Sequence, residues 1–312
     1  MWDANNQPPR FSVVIPTFNR VDLLKETIAS IKKQAYQRYE VIVVDDGSTD
    51  GTLAWLAKNE PGISVVRQNR KGPGAARNAG ARIASGAYLA FLDSDDLWLP
   101  WTLQAYDRII SEVGNPAFVA GRQHLFENSR SDCLDILNEQ GIEMQCFRDY
   151  FSSSDAWRWW GASSFVVQKE VFLRVGGFSE LNVYAEDADL ALRLGVEKGF
   201  VQVLNPVTFA YRRHGSNSMN NLKRIIQGAW LLIRSERQGA YPGGRARLRQ
   251  RLEIITRHIR PTVFACLNSG DRNAAIHLYK ASLWWNLRLL RVRYLFAFPL
   301  LLALSFLRRK RI

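Results

Sequence analysis

The chain has 312 residues, enough for one large domain with an appendage or for two modest domains. Hydrophobic residues make up 47%, which supplies a substantial core and excludes a chain that is disordered as a whole. The formal net charge of +13 is unevenly placed, because residues 216–312 hold 19 Lys and Arg against 3 Asp and Glu. Such a basic region predicts contact with an anionic surface, either a membrane or a nucleic acid.

Cysteine usage and the N-terminus indicate the compartment. Cys133, Cys146 and Cys266 are scattered, with neither a CxxC pair nor metal-ligand spacing. Reduced thiols in a reducing compartment are therefore expected. The first ten residues are polar and lack the apolar segment of a secretory signal. A cytoplasmic protein is the prediction.

The first hundred residues alternate between apolar runs and helical patterns. Strands are predicted within 11–20, 39–52 and 63–68 and at 87–92, separated by helices over 22–33, 52–58 and the latter part of 71–86. This alternation predicts an α/β fold with a mostly parallel, doubly wound sheet and flanking helices. In such sheets ligands gather at the carboxyl ends of the strands.

The later segments are less uniform. A strand, a short helix and a Gly-Gly turn are predicted over 161–178, a helix over 185–200, and one or two edge strands in 201–219. Amphipathic and basic helices are predicted over 221–239, from Arg245 with an interruption near Pro261, and from about Asp271 to Leu290. The nearly apolar run 294–307 is shorter than the about 20 residues of a membrane span. We expect a catalytic domain over 1–215 and a basic helical region over 216–312.

Acidic residues follow two of the predicted strands. Asp45 and Asp46 end the second, and the stretch 93–96, "DSDD", ends the fourth. Carboxylates this close repel one another unless a cation lies among them, so a divalent cation with oxygen ligands is indicated. The alternative is that strand ends and turns attract Asp for conformational reasons.

Four further features allow a functional and an ordinary interpretation. Arg77, in "GPGAARNAG", either meets an anion near a helix N-terminus or lies on a solvated helix face. Glu186 and Asp187 either include a carboxylate base or favour the helix dipole. His214 is a phosphate or metal contact, or a loop histidine. Trp159 and Trp160 either stack on an acceptor sugar or belong to the core.

The ordered set of these stretches resembles the inverting, bacterial-type nucleotide-sugar glycosyltransferases of family 2, which have the GT-A fold. The resemblance covers residues 11–215 and rests on "VVIPTFNR", "VIVVDDGSTDGT", "GPGAARNAG", "YLAFLDSDDLW", "GGF" and "EDADLALRL". It implies Asp187 as catalytic base, Asp95 as a ligand of Mn²⁺ or Mg²⁺, and Glu186 on the acceptor side. It also implies that His214 contacts the metal or the donor's diphosphate. The donor-binding residues that it implies are Pro16, Thr17, Asn19, Asp45, Asp46, Arg77, Asp93, Ser94 and Asp95.

The resemblance implies sugar transfer from a nucleoside diphosphate sugar, commonly a UDP-sugar, to a hydroxyl of a glycan or lipid-linked acceptor. Cell-surface polysaccharide synthesis is the expected setting. Processive synthases of the family carry QxxRW; the nearest string here, "DAWRWW", lacks the Gln, so addition of one or a few sugars is favoured.

Two other function classes remain open. A sugar-nucleotide nucleotidyltransferase shares a similar sheet, but it would carry a Gly-rich basic loop where this chain has "PTFNR". A non-catalytic membrane- or glycan-binding protein of the same fold is the other alternative.

The basic region predicts peripheral attachment to an anionic membrane at its inner face. A helical bundle or an oligomer contact is its alternative. No recognisable nucleic-acid motif accompanies the charge, so no nucleic-acid partner is expected.

Overall fold

The computed structural model describes residues 8–127, 141–154, 156, 161–213, 215 and 221–308. It separates into two compact units. The first comprises 1–150, 157–182 and 197–215, and the second comprises 151–156, 183–196 and 216–312. A functional boundary at residue 215 stays a prediction.

A single sheet organises the first unit. Its strand order is β3-β2-β1-β4-β8-β6-β9-β5, with β7 paired to β9. The described strands are β1 (Phe11–Thr17), β2 (Tyr39–Asp45), β3 (Ser64–Arg67), β4 (Tyr88–Phe91), β5 (Leu97–Trp98), β6 (Phe118–Glu127), β7 (Glu143–Phe147), β8 (Phe165–Gln168) and β9 (Phe200–Arg213).

Helices cover both faces of this sheet. Val13 and Ile15 of β1 belong to the same core cluster as Leu24 and Ile28 of a helix on one face. Val14, pointing the other way, lies against a helix on the opposite face. The helices of the first unit are α1 (Val21–Lys32), α2 (Thr52–Asn59), α3 (Pro73–Ile83), α4 (Thr102–Val113) and α5 (Lys169–Arg174).

The predicted α/β fold is confirmed. The four strands expected in the first hundred residues are present and pair in parallel, in the order β3-β2-β1-β4. Beyond β4 the pairing is mixed, since β8 is antiparallel to both β4 and β6, whereas β6 and β9 are parallel. The expected edge strands in 201–219 are wrong: β9 is one long strand lying between β6 and β5.

The second unit consists of helices: α6 (Glu186–Arg193), α7 (Leu222–Arg237), α8 (Leu248–Asn268), α9 (Arg272–Arg288) and α10 (Val292–Arg308). Asn221 and Asp271 cap α7 and α9 by accepting from the backbone N–H of Arg224 and Ala274. Within the described ranges, no helix combines the length and the apolar character needed to cross a membrane.

The predicted interruption near Pro261 is wrong, because α8 continues through it. Proline removes one backbone donor and costs about 3 kcal/mol inside a helix. Ile259 and Val263 on either side are fully buried, and burial of two such side chains contributes about 1.5–3 kcal/mol each. Packing on both flanks therefore outweighs the cost of the proline.

The segment that precedes α6 lies directly on α7. A Cβ placed on Gly228 would come within 1.7 Å of the Tyr184 carbonyl oxygen, and the Tyr184 N–H donates to the Arg224 carbonyl at 3.2 Å. Ala185, the N-cap residue of α6, has a φ of 77°. A glycine at 228 thus permits the close approach that fixes where α6 begins.

We predict that Gly228→Ala lowers the free energy of unfolding by about 1–3 kcal/mol, because the new methyl group meets a backbone atom. This is the expected net loss, after the roughly 1 kcal/mol that alanine gains in helix propensity has been subtracted. Urea unfolding followed by circular dichroism measures it. Gly62→Ala is the control, since nothing lies within 4 Å of its Cβ position. An alanine at 228 as stable as the parent would contradict the close contact.

Candidate active site

The carboxyl ends of β1, β2 and β4 share one edge of the sheet. In the parallel register, Thr17 lies opposite Asp45, and the Asp46 N–H donates to the Thr17 carbonyl at 2.8 Å. The Leu92 N–H donates to the Val14 carbonyl at 3.2 Å, so Asp93 emerges beside the end of β1. The strand ends therefore meet as the sequence predicts.

Three carboxylates after β4 form a cluster. One oxygen each of Asp93, Asp95 and Asp96 lies within 4.8 Å of the others. Arginine side chains balance two of these charges: Arg77 pairs with Asp93 and Arg20 with Asp95, both at 2.5 Å. Clustered carboxylate oxygens are the ligands that Mg²⁺ and Mn²⁺ prefer. Asp93 and Asp95 can therefore hold such an ion, with the two guanidinium groups beside it.

Asp96 differs from its two neighbours because it is an internal anchor. It is 1% exposed, and its oxygens accept from the Arg212 backbone N–H at 3.1 Å and the Ser163 hydroxyl at 2.6 Å. Its backbone carbonyl accepts from the Thr27 hydroxyl at 2.8 Å. Burial, and then the charges of Asp95 and Asp93, raise the pKa of Asp96 well above its ordinary value.

Sequence reasoning missed three residues that organise this cluster. Arg20 pairs with Asp95, Ser163 accepts from the Asp93 N–H at 3.0 Å, and Arg212 donates through Nε to the Asp95 carbonyl at 2.9 Å. Two of them carried a usable signal, since Arg20 follows the end of β1 and Arg212 belongs to "YRRHGS". Ser163 carried none, because its role depends on pairing between distant strands.

Asp45 and Asp46 already accept hydrogen bonds within the protein. Asp45 is fully buried and accepts from the Ser48 N–H at 3.2 Å. Asp46 accepts from the backbone N–H groups of Lys71 and Gly72 at 2.7 and 2.9 Å. The glycine-rich segment thus donates to a protein carboxylate, and contact of either acid with a nucleotide stays a prediction.

Other predicted donor residues line the same edge. Pro16 lies in β1, and Ser94 is 2% exposed between the two acids. Asn19 has a φ of 48°, and its side-chain oxygen accepts from the Thr49 N–H at 2.8 Å, which ties the loop after β1 to the loop after β2. The buried Thr17 hydroxyl has no hydrogen-bond partner within the ranges described. Buried hydroxyls are normally satisfied, so Thr17 is suited to a polar ligand group.

The motif "GPGAARNAG" forms α3 and serves packing. A Cβ on Gly74 would lie 2.2 Å from the Ser179 carbonyl oxygen. The Asn78 side chain donates to the Phe178 carbonyl at 2.9 Å and accepts from the Phe178 N–H at 2.8 Å. Arg77 is 2% exposed and lies over the Phe178 ring at 5.0 Å, so it is not on a solvated face. These contacts join the motif "GPGAARNAG" to the motif "GGF", about one hundred residues further along the chain.

The predicted base lies in the second unit. Glu186 and Asp187 are half-buried in the first turn of α6, where Asp187 Oδ1 accepts from the Ala188 N–H at 2.7 Å. Asp189, two residues on, is buried and accepts from Arg193 at 2.8 Å and the Tyr241 hydroxyl at 2.9 Å. The third acid of the motif therefore fixes α6 against the turn after α7. His214, Trp159 and Trp160 lie outside the described residues.

Residues 12–138 match the family model described as glycosyl transferase family 2. The predicted resemblance to this family is confirmed for these residues. The match covers the strand ends with Thr17, Asp45 and Asp46, and the acid cluster after β4.

Known proteins agree with this assignment. An Escherichia coli protein named UDP-Glc:alpha-D-GlcNAc-diphosphoundecaprenol beta-1,3-glucosyltransferase WfgD is 32% identical over 120 residues, which is 38% of this chain and 47% of WfgD. The chain covers only 15% of the length of three rickettsial relatives described as uncharacterized glycosyltransferases.

Solved structures share the fold. TarS 1-349 of S. aureus, in complex with UDP, has a TM-score of 0.59 at 20% identity. The match covers 80% of this chain and 72% of the TarS chain. The mannosyltransferase PcManGT of Pyrobaculum calidifontis, in complex with GDP-Man and Mn²⁺, has a TM-score of 0.50 at 21% identity. It covers 100% of this chain and 91% of its own.

We predict that Asp96→Ala lowers the free energy of unfolding by about 1–3 kcal/mol, because it leaves the buried Arg212 N–H and Ser163 hydroxyl without their acceptor. Asp96→Asn keeps an oxygen that accepts from the Arg212 N–H, and its amide can donate to the Ser163 oxygen in place of the bond that Ser163 donated, so we expect a smaller loss than in the alanine variant. Urea unfolding of both ligand-free variants measures the difference. Equal losses in the two would contradict the anchoring role.

Proposed function

We propose that the protein is an inverting, metal-dependent glycosyltransferase that moves a sugar from a nucleoside diphosphate sugar, preferably a UDP-sugar, to an acceptor hydroxyl. The observation that carries this proposal is the carboxylate cluster at the carboxyl edge of the sheet, with an arginine paired to each of its two outer acids. Such an edge offers both signs of charge to a metal–diphosphate group.

The donor's charged part would lie among Asp93, Asp95, Arg20 and Arg77. Each guanidinium already lies at a carboxylate and can donate to a phosphate oxygen with the same fork of N–H groups. The Thr17 hydroxyl, buried at the same edge, supplies a polar contact for the nucleoside end. Asn19, Asp45, Asp46 and Ser94 would shape this pocket, in keeping with the family motifs.

The residues fit a divalent cation, Mn²⁺ or Mg²⁺. Asp95 would be its ligand, with Asp93 beside it and His214 as a further ligand by family resemblance. When bound, such an ion neutralises charge that develops on the departing nucleoside diphosphate. The neighbour solved with GDP-Man and Mn²⁺ supports this choice. Arg20 and Arg77 would stabilise the same leaving group electrostatically.

Asp187 would act as the catalytic base and take the proton from the acceptor hydroxyl, whose oxygen then attacks the anomeric carbon from the face opposite the leaving group. This attack inverts the anomeric configuration. Glu186, next to it in the same helical turn, would bind the acceptor, together with Trp159 and Trp160.

A lipid-linked or glycan acceptor is our proposal for the second substrate. The name of WfgD specifies transfer from UDP-Glc to a sugar on diphosphoundecaprenol, and TarS was solved with UDP. Transfer to such an acceptor would belong to cell-surface polysaccharide synthesis, and we propose that it takes place at the inner face of the cell membrane, with the basic C-terminal region towards anionic lipid. An oligomer contact through that region is compatible with the same activity.

We predict that UDP with Mn²⁺ or Mg²⁺ raises the melting temperature, because a ligand at about one hundred times its Kd adds roughly 2.7 kcal/mol of stability. In Asp95→Asn the added stabilisation should largely disappear. Differential scanning fluorimetry, comparing the shift on ligand addition within each variant, measures it. Asp22→Asn is the control, since that side chain is exposed and pairs with Lys25 at 2.8 Å on the same helix.

If UDP raises the melting temperature equally in Asp95→Asn and after metal chelation, the proposal that this cluster binds the metal and the donor would be wrong. The same screen, extended to several sugar nucleotides, selects the donor for activity assays.

We predict that Asp187→Asn lowers kcat about 10²–10⁴-fold, because the acceptor proton loses its base. Donor binding should be unchanged. Release of UDP from the selected donor in the presence of lipid extract measures turnover. Glu170→Gln is a matched control, since Glu170 is also an acid in the first turn of a helix. Equal turnover in all three proteins would leave Asp187 with only a helix-dipole role.

A further inference from the structure

The hairpin of α9 and α10 presents large apolar side chains to solvent. Trp284 is 78% exposed, Leu290 80% and Phe296 75%. Val292, Phe296, Leu300 and Leu304 recur every four residues along α10 and are all exposed. Side chains at this spacing form one continuous stripe on a helix. A stripe of this size on a folded protein marks a surface that another apolar phase covers.

The opposite face of α10 is firmly packed on the protein. Tyr294 and Phe298 are 4% and 2% exposed, and the Phe298 ring stacks on Tyr279 of α9 at 4.3 Å. Tyr294 contacts Phe264 of α8 edge-on at 5.7 Å, and the Tyr279 hydroxyl donates to the Leu295 carbonyl at 3.0 Å. The hairpin is thus a fixed element with one covered and one open face. A helix of this kind lies along an interface rather than being surrounded by lipid.

The charges beside the stripe decide between possible occupants. Residues 272–308 contain six Lys and Arg and no Asp or Glu. Arg288 and Arg293 are exposed next to Trp284 and Phe296. In a two-fold pair of copies the same basic side chains would face one another and repel. Anionic headgroups supply the opposite charge, while the acyl boundary covers Phe296 and Leu300.

We propose that the exposed face of α9–α10, centred on Trp284, Leu290, Phe296 and Leu300, inserts into the headgroup boundary of an anionic membrane while Arg288 and Arg293 bind its headgroups. This inference deepens the membrane part of the proposed function. The hairpin is the attachment surface in this proposal, and some basic side chains elsewhere in the region are internal and serve packing. Arg251, for example, is internal, paired to Glu236 at 2.8 Å, with both side chains 7% exposed.

Co-flotation of the full chain with vesicles tests the proposal. Phosphatidylcholine vesicles are compared with vesicles that contain about one third phosphatidylglycerol. We expect binding to the anionic vesicles only. The variant Phe296→Ser/Leu300→Ser should weaken binding by about tenfold or more, since it removes the inserted apolar groups. Ile83→Ser/Leu173→Ser is the control, because these two apolar side chains are also exposed but belong to the first unit.

Arg288→Gln/Arg293→Gln tests the charge independently and leaves the apolar stripe intact. We expect a loss on the order of fivefold per arginine, with Lys58→Gln/Arg82→Gln as the exposed control pair. Circular dichroism confirms that each variant is folded. Because these measurements involve no turnover, their failure leaves the donor site untouched, and the UDP shift of the vesicle-free protein tests that site separately.

Three results would overturn the proposal. The first is equal binding of the parent chain to neutral and anionic vesicles. The second is undiminished binding of both double variants. The third is a parent chain that self-associates in sedimentation, fails to float, and becomes monomeric in Phe296→Ser/Leu300→Ser. That last result would make the stripe a contact between copies.

Discussion

The balance of charge at the carboxyl edge of the sheet is the constraint on which the rest of the first unit depends. Three carboxylates within 4.8 Å repel one another, and burial strengthens that repulsion because the surroundings screen charge poorly. The fold answers in two ways. Arg20 and Arg77 neutralise Asp95 and Asp93, while Asp96 is buried against hydrogen-bond donors and its pKa is raised. Each compensating group comes from a different element, so the cluster joins the start of α1, α3, the segment after β4, and β9.

This arrangement has a consequence for ligand binding. An arginine beside a carboxylate holds the side chain in place, but it also competes with any metal ion for the same oxygens. When a metal ion binds together with a diphosphate, the ion interacts with the carboxylates and the diphosphate interacts with the arginines. Each member of the two ion pairs therefore gains a new partner of opposite charge. We therefore expect metal and nucleotide to bind cooperatively, with the ion alone binding weakly. The ion pairs keep the acids apart and oriented before the ligands arrive.

Sequence reasoning recovered the parts of this site that follow from local pattern. Apolar runs that end in polar residues located β1, β2 and β4, and parallel strands bring such ends together. The role of Ser163 could not be predicted, because its contact with Asp96 depends on β8 pairing antiparallel to β4. The position of β9 was predicted wrongly as an edge, since the sequence of one strand does not show how many strands pair with it. The interruption near Pro261 was predicted wrongly for another reason. Helix propensity depends on the local sequence, whereas the packing of Ile259 and Val263 depends on the tertiary structure.

Gly228 of α7 lies where the helix that carries the proposed base meets the helices of the C-terminal region. The helix that carries Asp187 belongs to the same compact unit as the basic C-terminal helices, and it begins where Gly228 lets α7 contact the Tyr184 carbonyl. Asp189 secures the same helix to Tyr241, in the turn after α7. The residue proposed to activate the acceptor and the hairpin proposed to bind lipid therefore belong to one compact unit. If the acceptor is lipid-linked, the unit that binds the membrane would also carry the base that acts on the membrane-bound substrate.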